Sequence, residues 1–383
     1  MTDRQRVYHQ VLTALKPLMQ SAKQGHVVTL AMMITGIVLG KKAQLAAMSG
    51  EVPYPAQDES IEKRMRRWVA NDNVSETVYF MPFAHEIVTS LAHVRLVLAL
   101  DSSPVGRGCM ALLVGVIYQQ RALPLAWLVY RAKKGHTTAE RHIAVLEAVR
   151  PLLPEGAEVV LLGDGEYDTV AMLQWIERHP HWAFVVRTAP NLTYRCGSVW
   201  RKTGELPLTA GSQLSVLDVA FTQEAYGPLL LVGWWDKRYK EPLYLLSNLS
   251  SADDACRTYR KRFRLETFFS DQKNRGFHIH QSHLSDPARL SRLLIAACLA
   301  YIWMIALGLF VIHSGQRARI DRPERRDKSL FRLGLDWLRY VLKWGAPFFV
   351  TFRLPARQAQ HALAPPGHAP HSLSRSHGLP LAA

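Results

Sequence analysis

The chain has 383 residues, enough for two or three domains with a sizeable core. Hydrophobic residues make up 48% of it and charged residues 20%, a balance that excludes a disordered chain. Lys and Arg outnumber Asp and Glu by 47 to 31, which gives a formal net charge of +16. A surplus of this size indicates a polyanionic partner, either nucleic acid or an anionic membrane, and charge alone does not separate the two.

One apolar segment bears on the membrane alternative. Residues 293–312 contain no charged side chain, and a segment of this length is about long enough to cross a bilayer. We interpret it as a buried core helix, because it is the only convincing segment of its kind and a strongly basic helix lies just upstream. A membrane protein built around this segment is the alternative, which membrane fractionation would test.

The cysteines and the N-terminus favour a cytoplasmic protein. The first ten residues show no apolar run after their charges, so no secretory signal is predicted. Four cysteines lie far apart and match no zinc spacing, so we predict reduced, buried thiols. They are Cys109, Cys196, Cys256 and Cys298.

The N-terminal part of the chain is predicted to be helical. Apolar positions at helical spacing predict helices over residues 7–19 and 27–39. A basic helix follows over residues 60–68, with Ser60 as its predicted cap. We predict that this helix contacts DNA, and a solvated charged face is the alternative. The predicted contacts are Arg64, Arg66 and Arg67.

From residue 93 the pattern changes to that of an α/β layer. Strands are predicted over residues 93–100, 111–118, 125–130, 158–162 and 182–187, with helices over 138–150 and 167–179. The order β-β-β-α-β-α-β predicts a mixed α/β fold. The first strand is predicted to end directly at Asp101, and the fourth at Gly163-Asp164.

A long helix is predicted to begin near Ser251 and to carry four chemically active side chains. Tyr259, Arg262, Glu266 and Lys273 are spaced 3, 4 and 7 residues apart. At ~100° per residue they fall on one stripe of about 60°. One helix face therefore offers a carboxylate flanked by a phenol and two cations.

These residues suit the cleavage of a phosphodiester. Two divalent ions serve in-line attack well, one at the nucleophile and one at the leaving oxygen. Magnesium prefers oxygen ligands, so Asp101, Asp164 and Glu266 are the predicted metal ligands. Tyr259, Arg262 and Lys273 would hold the phosphates beside the scissile bond, and a guanidinium suits bidentate contact.

The same residues resemble those of a known family. The complete Tyr-x2-Arg-x3-Glu-x6-Lys signature, the motif Asp164-Gly-Glu-Tyr167 and Asp101 after a β-rich run resemble DDE transposases of bacterial insertion sequences. More narrowly, they resemble the YREK-bearing group named after insertion sequence four. The resemblance covers roughly residues 90–310. It implies an RNase H-like catalytic core, Mg²⁺ (with Mn²⁺ able to substitute), catalysis by the three carboxylates, a homodimer on paired transposon ends, and hairpin DNA intermediates.

The predicted function is therefore that of a nucleoid-associated bacterial transposase, which binds terminal inverted repeats, cleaves DNA and joins the ends to target DNA. A non-catalytic DNA-binding relative is a second alternative beside the membrane protein. The predicted parts are a helical DNA-binding domain (1–90), the first part of the core (91–189), a β-rich insertion (190–249), the catalytic and core helices (250–313), a basic helical region (314–354) and a disordered tail (355–383).

Two further features carry predictions about DNA. The insertion is predicted to arch over the site and contains adjacent Trp234 and Trp235. One of them, with Trp235 preferred, is predicted to stack on a displaced base, whereas the other packs in the core. The arginine-rich stretch 317–328 is predicted either to contact phosphates or to be a solvated loop.

Overall fold

A ten-stranded sheet forms the centre of the protein in the computed structural model, which describes residues 1–91, 93–132 and 137–354. The predicted disordered tail (355–383) lies outside the described residues. The sheet order is β3-β2-β1-β4-β5-β10-β9-β8-β6-β7. The first five strands are β1 (Leu96–Gly106), β2 (Cys109–Tyr118), β3 (Arg121–Arg131), β4 (Val159–Gly163) and β5 (Trp182–Thr188). The others are β6 (Thr193–Cys196), β7 (Val199–Lys202), β8 (Gln213–Phe221), β9 (Tyr226–Trp234) and β10 (Leu243–Ser247).

Helices precede, interrupt and follow this sheet, so the predicted mixed α/β fold is confirmed. Six helices come first: α1 (Asp3–Leu15), α2 (Gln24–Gly40), α3 (Leu45–Ser49), α4 (Asp58–Val69), α5 (Glu76–Tyr79) and α6 (Met81–Leu91). The rest are α7 (Ala139–Val149), α8 (Val170–Glu177), α9 (Ala252–Tyr259), α10 (Phe263–Gln272), α11 (Pro287–His313) and α12 (Leu330–Lys343).

Strand β1 is longer than predicted, and Asp101 lies inside it rather than at its end. Asp101 pairs with Leu113 of β2, and the antiparallel ladder continues to Gly106. Hydrogen bonding to apolar β2 holds the chain extended through a polar stretch that has little strand propensity of its own. The parallel pairing with β4 stops at Ala99, so beyond that residue β1 has only one neighbour and tolerates Pro104.

The prediction that the insertion arches over the site is wrong, because its strands extend the sheet instead. Strand β10 pairs antiparallel with β5, from Tyr244 opposite Thr188 to Ser247 opposite Val185. The other four insertion strands follow outward from β10. The apolar positions of β9 and β10 are buried on the same core as the rest of the sheet, which explains why they join it.

The segment predicted to be one long helix is two helices. Ser251 caps α9, as expected from its position, and its hydroxyl accepts from the Asp254 N–H. After Tyr259 the backbone tightens, because the N–H groups of Lys261 and Arg262 bond carbonyls three residues back. Such a 3₁₀-type turn has fewer residues per turn than an α-helix, so it rotates α10 relative to α9.

The basic helix α4 begins two residues earlier than predicted. Asp58 is its first residue and Gln57 occupies the cap position, so the predicted Ser60 cap is wrong. Asp58 and Glu59 lie in the first turn, where negative charge interacts favourably with the exposed N–H groups of the helix.

Among the cysteines, Cys196 is exposed, contrary to prediction, because it lies at the β6–β7 turn.

Helix α11 is the single helix, within the described ranges, that is long and apolar enough to cross a membrane. In the structure 89% of its most apolar window is buried inside the protein, as the core-helix interpretation predicts. It packs closely on α12 through two glycines. A Cβ on Gly308 would lie 2.0 Å from the Leu330 carbonyl oxygen, and one on Gly334 would lie 2.0 Å from that of Met304.

Candidate active site

Two aspartates lie side by side where the parallel pairing of β1 and β4 stops. The last pair in that ladder is Ala99 with Leu162, and continuing the register by two residues places Asp101 opposite Asp164. Asp101 accepts a hydrogen bond from the Ser102 N–H at 2.8 Å. Asp164 directly follows β4 and accepts from the Glu166 N–H at 3.1 Å. Both carboxylates are thus oriented by their own backbone.

A third carboxylate comes from helix α10, which packs against β1, β2 and β3. Glu266 lies in the first turn of that helix, and half of its side-chain surface is exposed. It lines a cleft of about 410 Å³ together with both aspartates. We call this the carboxylate cleft, and its other walls come from Ser102, Ser103, Glu166, Phe269, Ser270, Lys273 and Asn274. Three carboxylates that are far apart in sequence therefore face one open space.

Arg262 lies between these carboxylates, in the tightened turn before α10. Its guanidinium donates to Glu266 Oε1 at 2.7 Å and lies 3.8 Å from Asp101 Oδ2. The arginine side chain is almost fully buried. A buried guanidinium needs negative partners, and here the site carboxylates supply them.

The electrostatics of the cleft disfavour a full set of negative charges. Burial raises the pKa of Asp101 to about 7; Arg262 opposes this shift, whereas Asp164 and Glu266 add to it. Neighbouring carboxylates that repel one another bind a cation favourably, because the cation offsets their charge. All three are oxygen donors, the type that Mg²⁺ prefers.

The carboxylates are not yet arranged around one point. Across the described part of the chain, no three His, Cys, Asp or Glu side chains are close enough together to hold a metal ion. The ion pair with Arg262 holds Glu266 Oε1 against the guanidinium, at a side chain that is half exposed. The three carboxylates supply the oxygen donors that a divalent ion takes.

The other two members of the signature occupy different environments. Lys273 lines the carboxylate cleft, and its Nζ donates to Ser103 Oγ at 2.6 Å. Tyr259 is 1% exposed, and burial raises the pKa of its phenol to about 12. Lys273 is therefore placed to meet a phosphate in the cleft. Tyr259 packs beneath the surface, with the Arg262 guanidinium 5.8 Å from its ring centre.

The three predicted arginines of α4 also differ. Arg64 Nε donates to the Thr29 hydroxyl at 2.9 Å, and a second nitrogen donates to the Gly25 carbonyl. These bonds fasten α4 to α2. Arg66 and Arg67 are exposed, and Arg66 pairs with Glu62 one turn earlier on the helix.

The two adjacent tryptophans of the insertion separate as strand alternation predicts. Trp234 is buried, with the Arg260 guanidinium 4.7 Å from its ring centre. Trp235 is partly exposed, and its indole N–H donates to the Tyr239 carbonyl at 3.2 Å. That hydrogen bond fixes the orientation of the more accessible ring.

Sequence reasoning missed the layer beneath the carboxylates. Tyr167 is fully buried, and burial raises its pKa, with Asp101 and Asp164 adding to the shift. Its ring meets His142 edge-on at 4.7 Å, and burial lowers the pKa of that histidine to about 4. Ser103, which accepts the bond from Lys273, was also missed. Tyr167 within the Asp-Gly-Glu-Tyr motif was a usable signal, because an aromatic residue three positions after a site aspartate is close enough to pack under it.

This geometry defines a mixed α/β protein in which three carboxylates and two cations surround one cleft. Comparison with known proteins then gives its class. A profile of the family described as "Transposase DDE domain" matches residues 94–303, which include all three carboxylates. The chain therefore belongs to the family of DDE transposases. No curated protein matches it.

A solved structure is also similar to the chain. It is described as the cryo-EM structure of a piggyBac transposase synaptic complex with hairpin DNA. The alignment covers 96% of this chain and 85% of the other, at 12% sequence identity and a TM-score of 0.47.

Proposed function

We propose that this DDE transposase cleaves DNA at transposon ends and joins those ends to target DNA, with Asp101, Asp164 and Glu266 as its catalytic carboxylates. The observation that carries the proposal is their convergence on one cleft from the middle of β1, the end of β4 and helix α10. The matching family domain spans all three positions. A non-catalytic relative has no need of such a convergence.

We propose that the carboxylate cleft holds Mg²⁺, with Mn²⁺ able to replace it. Asp101 and Asp164 are the ligands already side by side, and Glu266 joins them when it leaves Arg262. Bound there as a pair, the ions would activate the attacking oxygen and stabilise the leaving oxygen. The raised pKa of Asp101 is consistent with a site that gains from a cation.

The protein's own cations then have distinct tasks. Lys273 lines the cleft and supplies a point charge to a phosphate next to the scissile bond. Arg262 would exchange partners: with Glu266 among the metal ligands, its guanidinium would be available to a phosphate oxygen, for which its forked geometry is suited. Tyr259 supports Arg262 from below instead of contacting DNA in this arrangement.

Further proposals follow from the resemblance and the topology. Among β1–β5 only β2 runs opposite to the other strands, which supports an RNase H-like core. The complete signature supports the YREK-bearing group, and with it hairpin intermediates and a homodimer on paired ends. We place the protein in the cytoplasm, associated with the nucleoid.

The test is a cleavage assay on a duplex that carries the element's inverted repeat, identified from the flanking DNA. The wild type should nick the end when Mg²⁺ or Mn²⁺ is added and should not nick it in EDTA. Asp101→Asn, Asp164→Asn and Glu266→Gln should each lower the nicking rate by at least about 10³-fold, because each removes a ligand of the metal pair. Binding of the end should persist in all three.

Glu166→Gln is the matched control, since Glu166 lines the same cleft and competes for the role of ligand. Its nicking rate should stay within about tenfold of the wild type, a change of about 1.4 kcal/mol in the barrier. Full activity in any of the three main variants would remove that residue from the site. Absence of nicking by the wild type, with end binding intact, would favour the non-catalytic relative.

A further inference from the structure

A second cleft, of about 450 Å³, lies between α12 and the loop that precedes it. We call it the C-terminal basic cleft. Its cationic side chains are Arg319, Lys328, Arg339 and Lys343, and its aromatic side chains are Tyr340 and Trp344. The neighbouring arginine-rich loop is largely bonded to itself: Arg317 donates to two loop carbonyls, and Asp327 pairs with two arginines. Arg322 and Arg325 remain largely exposed, but both pair with Asp327, whereas the cleft gathers four basic side chains around one space.

One carboxylate organises these cations but does not neutralise them. Asp336 is 3% exposed at the floor of the cleft and pairs with Lys328 at 2.8 Å and Arg332 at 3.0 Å. Arg339 lies 3.8 Å from it. Lys41 adjoins the same group, and its pKa is lowered by burial and by repulsion from Arg332 and Arg339. Positive charge is therefore in excess here, a condition that attracts an anion.

The accessible groups suit a polyanion that presents phosphates. The Arg339 side chain is 68% exposed, and Trp344 is 66% exposed. Lys343 places its ammonium 5.6 Å from the centre of the Trp344 ring. The described residues that line the cleft include no Asn or Gln, so its polar base-reading side chains are limited to Arg and Lys. The same two side chains make most contacts to the phosphodiester backbone, which carry no sequence information.

The cleft is joined to the carboxylate cleft by the end of α10. Lys273 lines the carboxylate cleft, and four residues later the Phe277 carbonyl accepts a hydrogen bond from the Ala43 N–H at 2.7 Å. The Phe277 ring meets the Phe331 ring of α12 at 5.2 Å. The short segment after the catalytic helix thus packs on both α12 and the chain next to Lys41.

We propose that the C-terminal basic cleft holds the phosphodiester backbone of duplex target DNA during strand joining. The inference rests on the proposed function, because joining requires a second duplex besides the transposon end. Target DNA is the occupant that the lining favours, since it must be held whatever its sequence. The terminal repeat, by contrast, must be recognised by base contacts.

The test compares the full-length wild type with the double variant Arg339→Gln/Lys343→Gln. The control is Lys16→Gln/Arg178→Gln, which removes two exposed cations elsewhere and lowers the net charge equally. Binding to a 30-base-pair duplex of random sequence is measured over a series of salt concentrations. A duplex of this length is about as long as a typical protein-binding site. The cleft variant should bind about 10–50-fold more weakly at 0.1 M salt. Its salt slope should flatten by about 2, because each phosphate that the protein no longer neutralises lowers the slope by about 0.9. The control should match the wild type.

Two further readouts separate this proposal from its alternatives. Nicking of the inverted-repeat duplex should be unchanged in the cleft variant, whereas joining of a precut end to random target DNA should fall at least tenfold. If end binding falls and random-duplex binding does not, the cleft belongs to the transposon end and the proposal is wrong. If sedimentation shows that the variant loses dimers, the cleft is a protein interface, which also overturns it. If the wild type binds random duplex through this cleft but never nicks, the proposed catalysis is wrong and the proposed DNA-binding role of the cleft stands.

Discussion

Arg262 donates to Glu266 at 2.7 Å from a guanidinium that also lies 3.8 Å from Asp101. One cation therefore lies between two of the carboxylates that we propose as metal ligands. On that proposal, a divalent ion and Arg262 would compete for the same carboxylates, and binding of the ion would release Arg262.

Arg262→Gln should strengthen metal binding and weaken catalysis. Without the guanidinium Glu266 is no longer held, and a half-exposed ion pair contributes about 0.5–1 kcal/mol, so the affinity for Mn²⁺ should rise about 2–5-fold. Titration calorimetry with Mn²⁺ measures this change. Arg260→Gln is the control, since Arg260 pairs with Asp236 instead of the site carboxylates. Metal affinity that is equal in Arg262→Gln and the wild type would show that the arginine does not compete.

The tryptophan pair gives a prediction that depends on hairpin formation. Trp235→Ala should nick the first strand normally and form little hairpin, because the partly exposed ring can stack on a displaced base for about 1–3 kcal/mol. Trp234→Ala should instead lower the free energy of unfolding by about 3–5 kcal/mol, since it empties a core position. Trp200→Ala, on the exposed strand β7, is the control. Wild-type hairpin yield in Trp235→Ala would assign the stacking role to another residue.

The arginines of α4 should divide into one structural residue and two DNA-binding residues. Arg66→Gln/Arg67→Gln should flatten the salt dependence of end binding by about 0.9 for each phosphate that is no longer neutralised. Arg64→Gln should mainly destabilise the fold, by about 1–3 kcal/mol, because it removes charge-assisted bonds to α2. Urea unfolding and binding titrations separate the two effects. A salt slope that is unchanged in the double variant would show that the charged face of α4 is solvated and does not contact DNA.

His142 should make the protein less stable as the pH falls from 7 to 5. Burial lowers its pKa to about 4, against the opposing influence of Asp164 and Glu140. Between the unfolded pKa of about 6.5 and the folded value, the unfolded chain binds the extra proton, so acid favours unfolding. The decrease in stability should be about 1–2 kcal/mol between pH 7 and 5.

Urea unfolding of the wild type and His142→Gln at both pH values measures this contribution. Other buried groups, Asp101 and Asp271 among them, titrate in both proteins and cancel in the difference. The variant should lose less stability than the wild type on acidification. Parallel curves for the two proteins would mean that His142 binds its proton equally well in the folded and unfolded chains, so that burial does not lower its pKa.

The parts that the sequence predicted well are those set by local pattern. Strands β2, β4 and β5 lie close to their predicted bounds, because apolar runs define them. The position of Asp164 directly after β4 follows from the same kind of signal. These elements placed one aspartate and indicated the class of fold.

The parts that were missed depend on distant partners. The extension of β1 past Asp101 is imposed by β2 and not by its own polar residues. The break before α10 left a trace, since buried Leu265, Phe268 and Phe269 are out of phase with buried Cys256 and Tyr259. Because the chain tightens there, Arg262 faces Asp101, a contact that no spacing rule for one straight helix predicts.

The pairing of β10 with β5 makes the insertion a rigid extension of the sheet and not a mobile lid. A lid closes by rotation about a few backbone bonds, whereas a continuous ladder of backbone hydrogen bonds resists such rotation. Six strands lie beyond β4, which ends directly before Asp164, and at about 4.8 Å per strand they place the edge strand β7 roughly 29 Å away from it. That span is about eight to nine base pairs of duplex at ~3.4 Å each. A DNA end that contacts both β7 and the carboxylate cleft is therefore measured against a fixed length.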